Sequence, residues 1–238
     1  MKVYLISEPR FDNREFDRFI ADEGMAAGSA YHVEPASDAE LLVEQCARLC
    51  YMSYGKGRPS TSACLANITD QKHFSVMEHA NWTFIITGVS RSLTHELVRH
   101  RHLSFSQLSQ RYVDESLSQF IRPADVPAEG PMYDEWMASC YASLETYKAL
   151  VRKLDETIPS WRTATERRKM IRQAARSVLP NCTETKIAVT GNARAWREFF
   201  MKRNSPHADP EIRELARTIY GILVGKSPNL FLDTVEEE

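Results

Sequence analysis

A dense group of cationic and hydrogen-bonding side chains lies between Arg99 and Tyr112 of the 238-residue chain. It opens with arginine and histidine in alternation, at Arg99, His100, Arg101 and His102. Like charges crowded in this way are tolerated best where a bound anion relieves their repulsion. The residues that follow add apolar, amide and hydroxyl groups: Leu103, Phe105, Gln107, Leu108, Ser109 and Gln110. Such a mixture suits a nucleotide, which presents a phosphate, a sugar and a base.

A second basic segment lies between Arg162 and Arg176. Arg168, Arg172 and Arg176 are spaced four residues apart, so on a helix they would stack along one face. A solvated basic surface explains that stripe equally well. The whole chain has 30 basic and 32 acidic residues and a formal net charge of −2. Dense basic segments in a nearly neutral chain predict a focused anion site rather than a general nucleic-acid surface, and we expect no nucleic-acid partner.

The sequence lacks the common glycine-rich loops that bind phosphates through backbone amides. No GxGxxG follows a predicted strand, and no GxxxxGK[ST] occurs. Arginine side chains and helix N-termini would therefore have to bind the phosphates of a nucleotide.

Two hydrolase patterns fail on their spacing. His95 and Glu96 begin like the zinc motif HExxH, but the second histidine is His100, one position too late. On a helix the two imidazoles would diverge by about 140°. Ser109 has histidines nearby, but no GxSxG surrounds it and no acid is evidently placed to orient a base. We therefore expect neither a metal centre nor a serine hydrolase.

The five cysteines form no CxxC pair, and we expect buried, reduced thiols: Cys46, Cys50, Cys64, Cys140 and Cys182. None lies in a segment with basic and polar partners, so we expect no cysteine nucleophile. No apolar run approaches the roughly 20 residues that span a bilayer. The N-terminal residues are charged too early for a signal peptide and predict a first strand. We therefore expect a cytoplasmic protein without a membrane partner.

Helical and strand patterns are mixed along the chain and predict the elements that must position these side chains. Strands are predicted near the N-terminus and over 80–87 and 185–189. Helices are predicted over about 37–52, 62–72, 90–100, 131–154, 163–178, 192–203 and 209–225, with a flexible basic loop over 55–60. Ser37 and Glu40 have the spacing of a capping box, and Ser90 and Asn192 are predicted helix caps. The helix over 131–154 has an apolar stripe that predicts a buried core face: Met132, Trp136, Cys140, Leu144, Tyr147, Val151 and Leu154. No linker or repeat interrupts them. We predict an α+β fold in a single domain, residues 1–238, with a small, mostly antiparallel sheet and several long helices.

The chain resembles the flavin-dependent thymidylate synthases (the ThyX family) in an ordered series of segments. Arg99-His100-Arg101, seven residues and then Ser109 match the RHRx7S signature of that family. Similar segments follow family order over His73–His79, Arg91–Tyr112, Arg172–Pro180, Thr190–Asn192 and Arg203–His207. The resemblance runs from about Cys46 to Arg217.

The resemblance implies roles for individual residues. FAD would contact Ser75, Arg99, His100, Arg101, Gln107, Asn192, Arg194 and the position of Glu198. The substrate dUMP would contact Glu96, Arg99, Gln107, Ser109, Gln110, Arg111, Arg176 and Arg203. Arg203 would also stabilise negative charge at nitrogen 3 of the uracil, and His73 would lie near the stacked folate. Family members carry an amide or imidazole where this chain has Glu198, so that residue departs from the pattern.

The implied reaction converts dUMP to dTMP. Methylenetetrahydrofolate would donate the carbon, and FAD, reduced by NADPH, would supply the hydride. Family enzymes are homotetramers whose sites combine residues of different subunits. Without a cysteine nucleophile, we expect arginine cations to activate the uracil ring electrostatically. The alternative is a non-catalytic nucleotide- or RNA-binding protein, which the two basic segments would also suit.

Overall fold

The structure is a computed structural model that describes residues 1–25, 35–54, 56, 58, 60–158 and 162–234. It is an α+β structure with one small antiparallel sheet of four strands, which confirms the predicted fold class. The strands are β1 (Lys2–Ser7), β2 (Asn81–Ser90), β3 (Ser104–Gln107) and β4 (Glu184–Asn192). Their order in the sheet is β1-β2-β4-β3, so β2 and β4 are the inner strands.

The helices follow the predicted order, with small shifts at their ends. They are α1 (Asn13–Asp22), α2 (Asp38–Leu49), α3 (Thr61–Asp70), α4 (Arg91–Leu97), α5 (Pro131–Thr157), α6 (Ala164–Ala175), α7 (Ala193–Arg203), α8 (Pro210–Lys226) and α9 (Pro228–Phe231). Short 3-10 turns occupy Phe74–His79, Arg176–Val178 and Leu232–Thr234. The sequence patterns did not predict α1, the four-residue helix α9 or the four-residue strand β3. Gly55, Gly57 and Pro59 of the predicted basic loop lie outside the described residues.

Side-chain caps fix where the site-bearing helices begin. Ser37 and Glu40 form the predicted reciprocal capping box at the start of α2. The Ser90 hydroxyl accepts a hydrogen bond from the Leu93 amide at 2.9 Å and starts α4. The Asn192 side chain accepts one from the Ala195 amide at 2.9 Å and starts α7. Each cap satisfies a backbone N–H that the first helical turn leaves without a partner.

The chain folds into two compact units. The first unit comprises Met1–Lys2, Ile86–Arg99 and Phe105–Ala188, and the second comprises Val3–Ile85, His100–Ser104 and Val189–Glu238. In the first unit, α5 and α6 pack together around buried Leu144, Tyr147 and Ala175. The apolar stripe of α5 is therefore core, as predicted, except at Met132, which lies at the start of the helix and is 59% exposed.

An aromatic core supports the second unit. Phe84 of β2 meets Trp196 of α7 edge to face, with 5.3 Å between ring centroids. Trp82 meets Phe231 in the same way at 5.5 Å, and Phe200 contacts Phe231 at 5.9 Å. Burial of such large rings is the main stabilising contribution to a core of this kind. It fixes α7, which carries several predicted site residues.

Candidate functional site

A contact between distant residues of the second unit joins two predicted site residues. Arg203 is the last residue of α7, and His100 follows α4 in the chain. Nε of Arg203 donates a hydrogen bond to Nε2 of His100 at 3.1 Å, with both residues half-buried. The His100 ring also packs edge to face against Phe199, with 5.0 Å between centroids. Two residues of α7, Arg203 and Phe199, thus contact the His100 ring and fix its position.

His100 is a neutral hydrogen-bond acceptor near neutral pH. Burial, reinforced by the positive charge of Arg203, lowers the pKa of His100 from its usual 6.5 to about 4. In this neutral ring, Nε2 accepts the hydrogen bond from Arg203. The pair fixes the orientation of a permanently charged guanidinium.

Gly191 allows the segment that contains His100 to approach β4 closely. A Cβ atom at Gly191 would collide with the Leu103 side chain and lie 3.0 Å from Nε1 of Trp196. The same indole N–H donates to the carbonyl oxygen of Gly191 at 3.0 Å. Leu103 is almost fully buried, so the arginine- and histidine-rich segment is anchored by its apolar end.

The second unit also contains a cavity of about 780 Å³. It lies among α2, the segment that follows it, α3, the turn at Phe74–His79 and the start of α7. Three predicted ligand contacts line it: His73, Ser75 and Arg194. A volume of this size is typical of small-molecule and cofactor sites.

Several residues predicted to contact FAD have partners within the protein. Asn192 caps α7 through its side-chain oxygen. Glu198 forms an ion pair with Lys202 at 2.5 Å, and this hydrogen bond lowers the pKa of Glu198. Arg194 pairs with Glu78 at 2.6 Å at the edge of the cavity. Arg99 and Arg101 are exposed in the single chain. The Glu198 carboxylate is therefore neutralised within its own helix.

In the first unit, four of the predicted dUMP residues lie at the end of β3 or in the turn that follows it: Gln107, Ser109, Gln110 and Arg111. The Gln107 amide donates to the hydroxyl of Thr94 at 3.0 Å and to that of Thr185 at 3.4 Å, which fixes its side chain. The Ser109 hydroxyl accepts from the backbone N–H of Arg111 at 3.3 Å. That bond closes a turn, and it supports the prediction that Ser109 is not an activated nucleophile.

Two donors in this turn are buried without an acceptor. Gln110 is 5% exposed, and among the described residues its amide nitrogen has no hydrogen-bond partner. Within the same part of the chain, the buried Nε of Arg111 also has none. Because burying such groups without a partner is costly, a ligand that supplies acceptors would stabilise this arrangement. Both residues were predicted to bind dUMP.

The predicted stripe of three arginines divides into different roles. Arg172 donates to the carbonyl oxygen of Tyr112 at 2.5 Å and pairs with Asp114 at 3.5 Å, so it braces the turn after β3. Arg168 is exposed and donates to the carbonyl of Ala164 in its own helix. Arg176 begins the 3-10 turn beyond α6 and is half-buried. The three arginines therefore do not form one uniform basic surface, and Arg176 is left as the candidate anion ligand.

Comparison with known proteins shows the family to which the chain belongs. The chain matches the family model described as "Thymidylate synthase complementing protein" over residues 33–229. A flavin-dependent thymidylate synthase from Mycolicibacterium gilvum (strain PYR-GCK) is 47% identical over 207 residues, which cover 84% of this chain and 83% of that protein. A protein of the same name from Mycobacterium sp. (strain KMS) is 49% identical, with 83% of this chain and 82% of that protein covered. Another from Mycobacterium marinum is 47% identical, with 83% of this chain and 80% of that protein covered. The chain belongs to the flavin-dependent thymidylate synthase family.

Arg91 is a candidate site residue of this family member that the sequence patterns did not single out. Its buried Nη1 has no hydrogen-bond partner among the described residues. Burial lowers the pKa of Arg91, the buried Glu115 carboxylate opposes that effect, and the positive charge of Arg176 adds to it. Two arginines close enough to repel each other, one with an unused donor, are typical of an anion site. Local sequence carries no signal for this, because the proximity arises only on folding.

Arg197 is a second residue that the sequence patterns missed, and it holds one wall of the cavity. It is 5% exposed and donates to the carbonyl of Leu230 and to both carboxylate oxygens of Asp233. Its guanidinium lies over the ring of Phe74, 5.1 Å from the centroid. Phe74 precedes Ser75 and lines the cavity. In this family member Arg197 therefore positions the turn that carries Ser75.

The cysteines are free thiols, but not all of them are buried as predicted. Cys50 is exposed because it follows the last turn of α2. Cys140 and Cys182 lie with their sulfur atoms 3.5 Å apart, and burial raises the pKa of Cys182 to about 12. Such a thiol carries almost no thiolate, which is the nucleophilic form.

The described residues contain no cluster of three or more potential metal-ligating side chains. None of the helices in the described ranges is both long enough and apolar enough to cross a bilayer.

Proposed function

We propose that this protein catalyses the reaction of a flavin-dependent thymidylate synthase, which methylates dUMP with methylenetetrahydrofolate and reduced FAD. The observation that carries the proposal is the fixed guanidinium of Arg203, whose Nε is held by His100 at 3.1 Å. A rigid, permanently charged donor suits a reaction in which negative charge grows on a uracil ring. The family membership of the chain supports the same chemistry.

The first unit would bind dUMP. Gln110, Arg111 and Arg91 bring buried donors that lack acceptors within the described residues, and a phosphate and a uracil supply such acceptors. Arg176 adds a positive charge near Arg91. Ser109 would donate its hydroxyl hydrogen to the substrate, since its oxygen already accepts from the Arg111 backbone. Glu96, Arg99 and Gln107 complete the proposed set.

Arg203 would stabilise the negative charge that develops on the uracil ring during catalysis. Methylation at carbon 5 requires an electron-rich ring, and a cation at the uracil edge stabilises the charge that develops there. No cysteine is needed for this activation, in agreement with the raised pKa of Cys182. His100 would act as a positioning residue, because its unprotonated Nε2 accepts from Arg203 at neutral pH.

The residues around the cavity fit an FAD molecule. Arg194 offers a cation, Ser75 a hydroxyl, and Phe74 and Val76 apolar surface, which match a pyrophosphate, a ribose and aromatic rings. We propose that Ser75 and Arg194 bind FAD from the cavity, together with Arg99, His100, Arg101, Gln107, Asn192 and Glu198. When bound and reduced by NADPH, FAD would supply the hydride. His73, which is exposed and lines the same cavity, would contact the folate.

We further propose that the active enzyme is a homotetramer with shared sites. Ser75, Arg99, Arg101 and Arg194 are exposed in the single chain, although each is proposed to bind FAD. A neighbouring subunit would cover them and exclude water. We also propose that residues 1–238 act as one catalytic domain, because β2 and β4 each contribute residues to both units.

The test is direct. Purified protein should carry the visible absorption of an oxidised flavin, which should bleach on addition of NADPH. With dUMP and methylenetetrahydrofolate it should form dTMP, detected by chromatography. A protein that binds dUMP but forms no dTMP under any reducing condition would contradict the proposal and favour the non-catalytic alternative. Light scattering checks the tetramer, and an active monomer would refute shared sites.

A further inference from the structure

The cavity of the second unit has a pronounced charge asymmetry. None of the described residues that line it is an aspartate or glutamate. Five of them are basic: Arg48, Lys56, Arg58, Lys72 and Arg194. Arg194 has an assigned partner in Glu78, and Arg48 pairs with Glu44. Lys56, Arg58 and Lys72 form no ion pair with a described residue. We call these three residues the basic rim. No proposed flavin or dUMP contact accounts for them.

A buried arginine fixes the backbone that carries part of the basic rim. Arg48 is 4% exposed, and two of its nitrogens contact the Glu44 carboxylate at 2.7 and 2.8 Å. It also donates to the carbonyl oxygens of Ser53, Lys56 and Arg58 at 3.2, 2.9 and 3.0 Å. Burying an ion pair is costly unless its donors are used fully, as they are here. The backbone at Lys56 and Arg58 is therefore held in place beside the cavity.

Lys72 occupies a position where glycine is the favoured residue. It follows the C-cap of α3, and its backbone has φ of 55°, in the left-handed region. Helices commonly end with glycine in this conformation because a Cβ atom is disfavoured there. This chain instead places a lysine at the position, on the wall of the cavity. A residue in an unfavourable backbone region beside a cavity is a reasonable marker of a binding role.

We propose that the basic rim binds the polyanionic tail of a co-substrate whose reactive ring enters the same cavity. The tail consists either of the glutamate carboxylates of the folate or of the phosphates of NADPH, since both present several anionic oxygens. The inference rests on the proposed function, because it takes the folate and NADPH as the co-substrates. His73, proposed to contact the folate, lines the cavity with the rim. Tyr51 and Ile68, which also line it, offer apolar surface for the body of the ligand.

The experiment measures binding rather than turnover, on the full chain loaded with FAD. Calorimetry compares tetrahydrofolate monoglutamate with its pentaglutamate, and NAD+ with NADP+. The variant is Lys56→Gln with Lys72→Gly, and the glycine suits the left-handed backbone at that position. The matched control is Lys153→Gln, an exposed lysine of α5 that does not line the cavity.

We expect the longer or more highly phosphorylated ligand of one pair to bind wild type more tightly. In the double variant, the affinity for that ligand should fall by about two- to thirtyfold, as expected for the loss of two exposed charges. The fall in affinity should be larger at low salt. Affinity for the shorter ligand and for FAD should stay unchanged, and the control should match wild type.

The proposal would be overturned by equal affinities within both pairs of ligands, or by a difference in affinity that is the same in the double variant as in wild type. A loss of FAD affinity in the double variant would also overturn it, because the flavin would then use the rim. If wild type shows the advantage but forms no dTMP, the proposed function fails and the polyanion site stands.

Discussion

The pairing of His100 with Arg203 predicts a specific dependence of stability on pH. The pKa of His100 is about 4 in the folded protein and is expected near 6.5 in the unfolded chain. Above pH 6.5 the imidazole is neutral in both states, so it does not make the free energy of unfolding depend on pH. As the pH falls through 6.5, the unfolded chain takes up a proton that the folded protein refuses until about pH 4. Stability should therefore fall over this window and not above it.

The size of the effect follows from the same pKa values. A difference between 6.5 and about 4 corresponds to at most about 3 kcal/mol of unfolding free energy. Because the ring is only half-buried, solvent screens part of this, and we expect about 1–3 kcal/mol. The perturbation is His100→Gln. Glutamine keeps an acceptor for Arg203 but cannot titrate, so the variant should lose the stability change between pH 6.5 and pH 4.

The assay is urea unfolding followed by circular dichroism at several pH values across this window. At neutral pH the variant loses the ring contact with Phe199, which costs about 0.5–1.5 kcal/mol. The difference between wild type and variant should then shrink or reverse as the pH falls. His102→Gln is the matched control, since His102 is exposed, and it should keep the wild-type profile. Parallel profiles for wild type and His100→Gln, or a His100 imidazole that titrates near pH 6.5 by NMR, would refute a neutral, half-buried His100.

The remaining predictions concern single residues of the site. Arg176→Ala should weaken dUMP binding by roughly ten- to a hundredfold and leave FAD affinity unchanged, because a charge-assisted contact contributes about 1.5–3 kcal/mol; unchanged dUMP affinity in a titration would contradict the role. Arg203→Ala should lower single-turnover dTMP formation by about 10²–10³, while Ser109→Ala stays measurably active. The reverse order would indicate a serine nucleophile. Cys182→Ser should remain active, since its thiol has a pKa of about 12; a folded but inactive variant would reopen covalent catalysis.

Local signals in the sequence determined much of the secondary structure. Ser37, Ser90 and Asn192 were recognisable as helix caps, and each caps a helix in the structure. These predictions hold because a cap depends on a side chain and a backbone amide only a few residues apart. Strand β3 escaped notice because four residues among arginines and histidines give no clear alternation. The motif resemblance also named the family, which the comparisons confirm.

The tertiary structure decided which candidate residues have partners that support the fold and which carry buried donors without one among the described residues. His100 and Arg203 are 103 positions apart, and nothing near either one predicts their contact. Arg172 and Arg176 look alike in sequence, yet Arg172 braces the turn after β3, whereas Arg176 begins the 3-10 turn beyond α6 and is half-buried. The unmatched donor of Arg91 is equally invisible in the chain. Local sequence specifies helices and caps because their partners are neighbours along the chain. Burial, pKa values and unused donors depend on groups that meet only when distant segments pack.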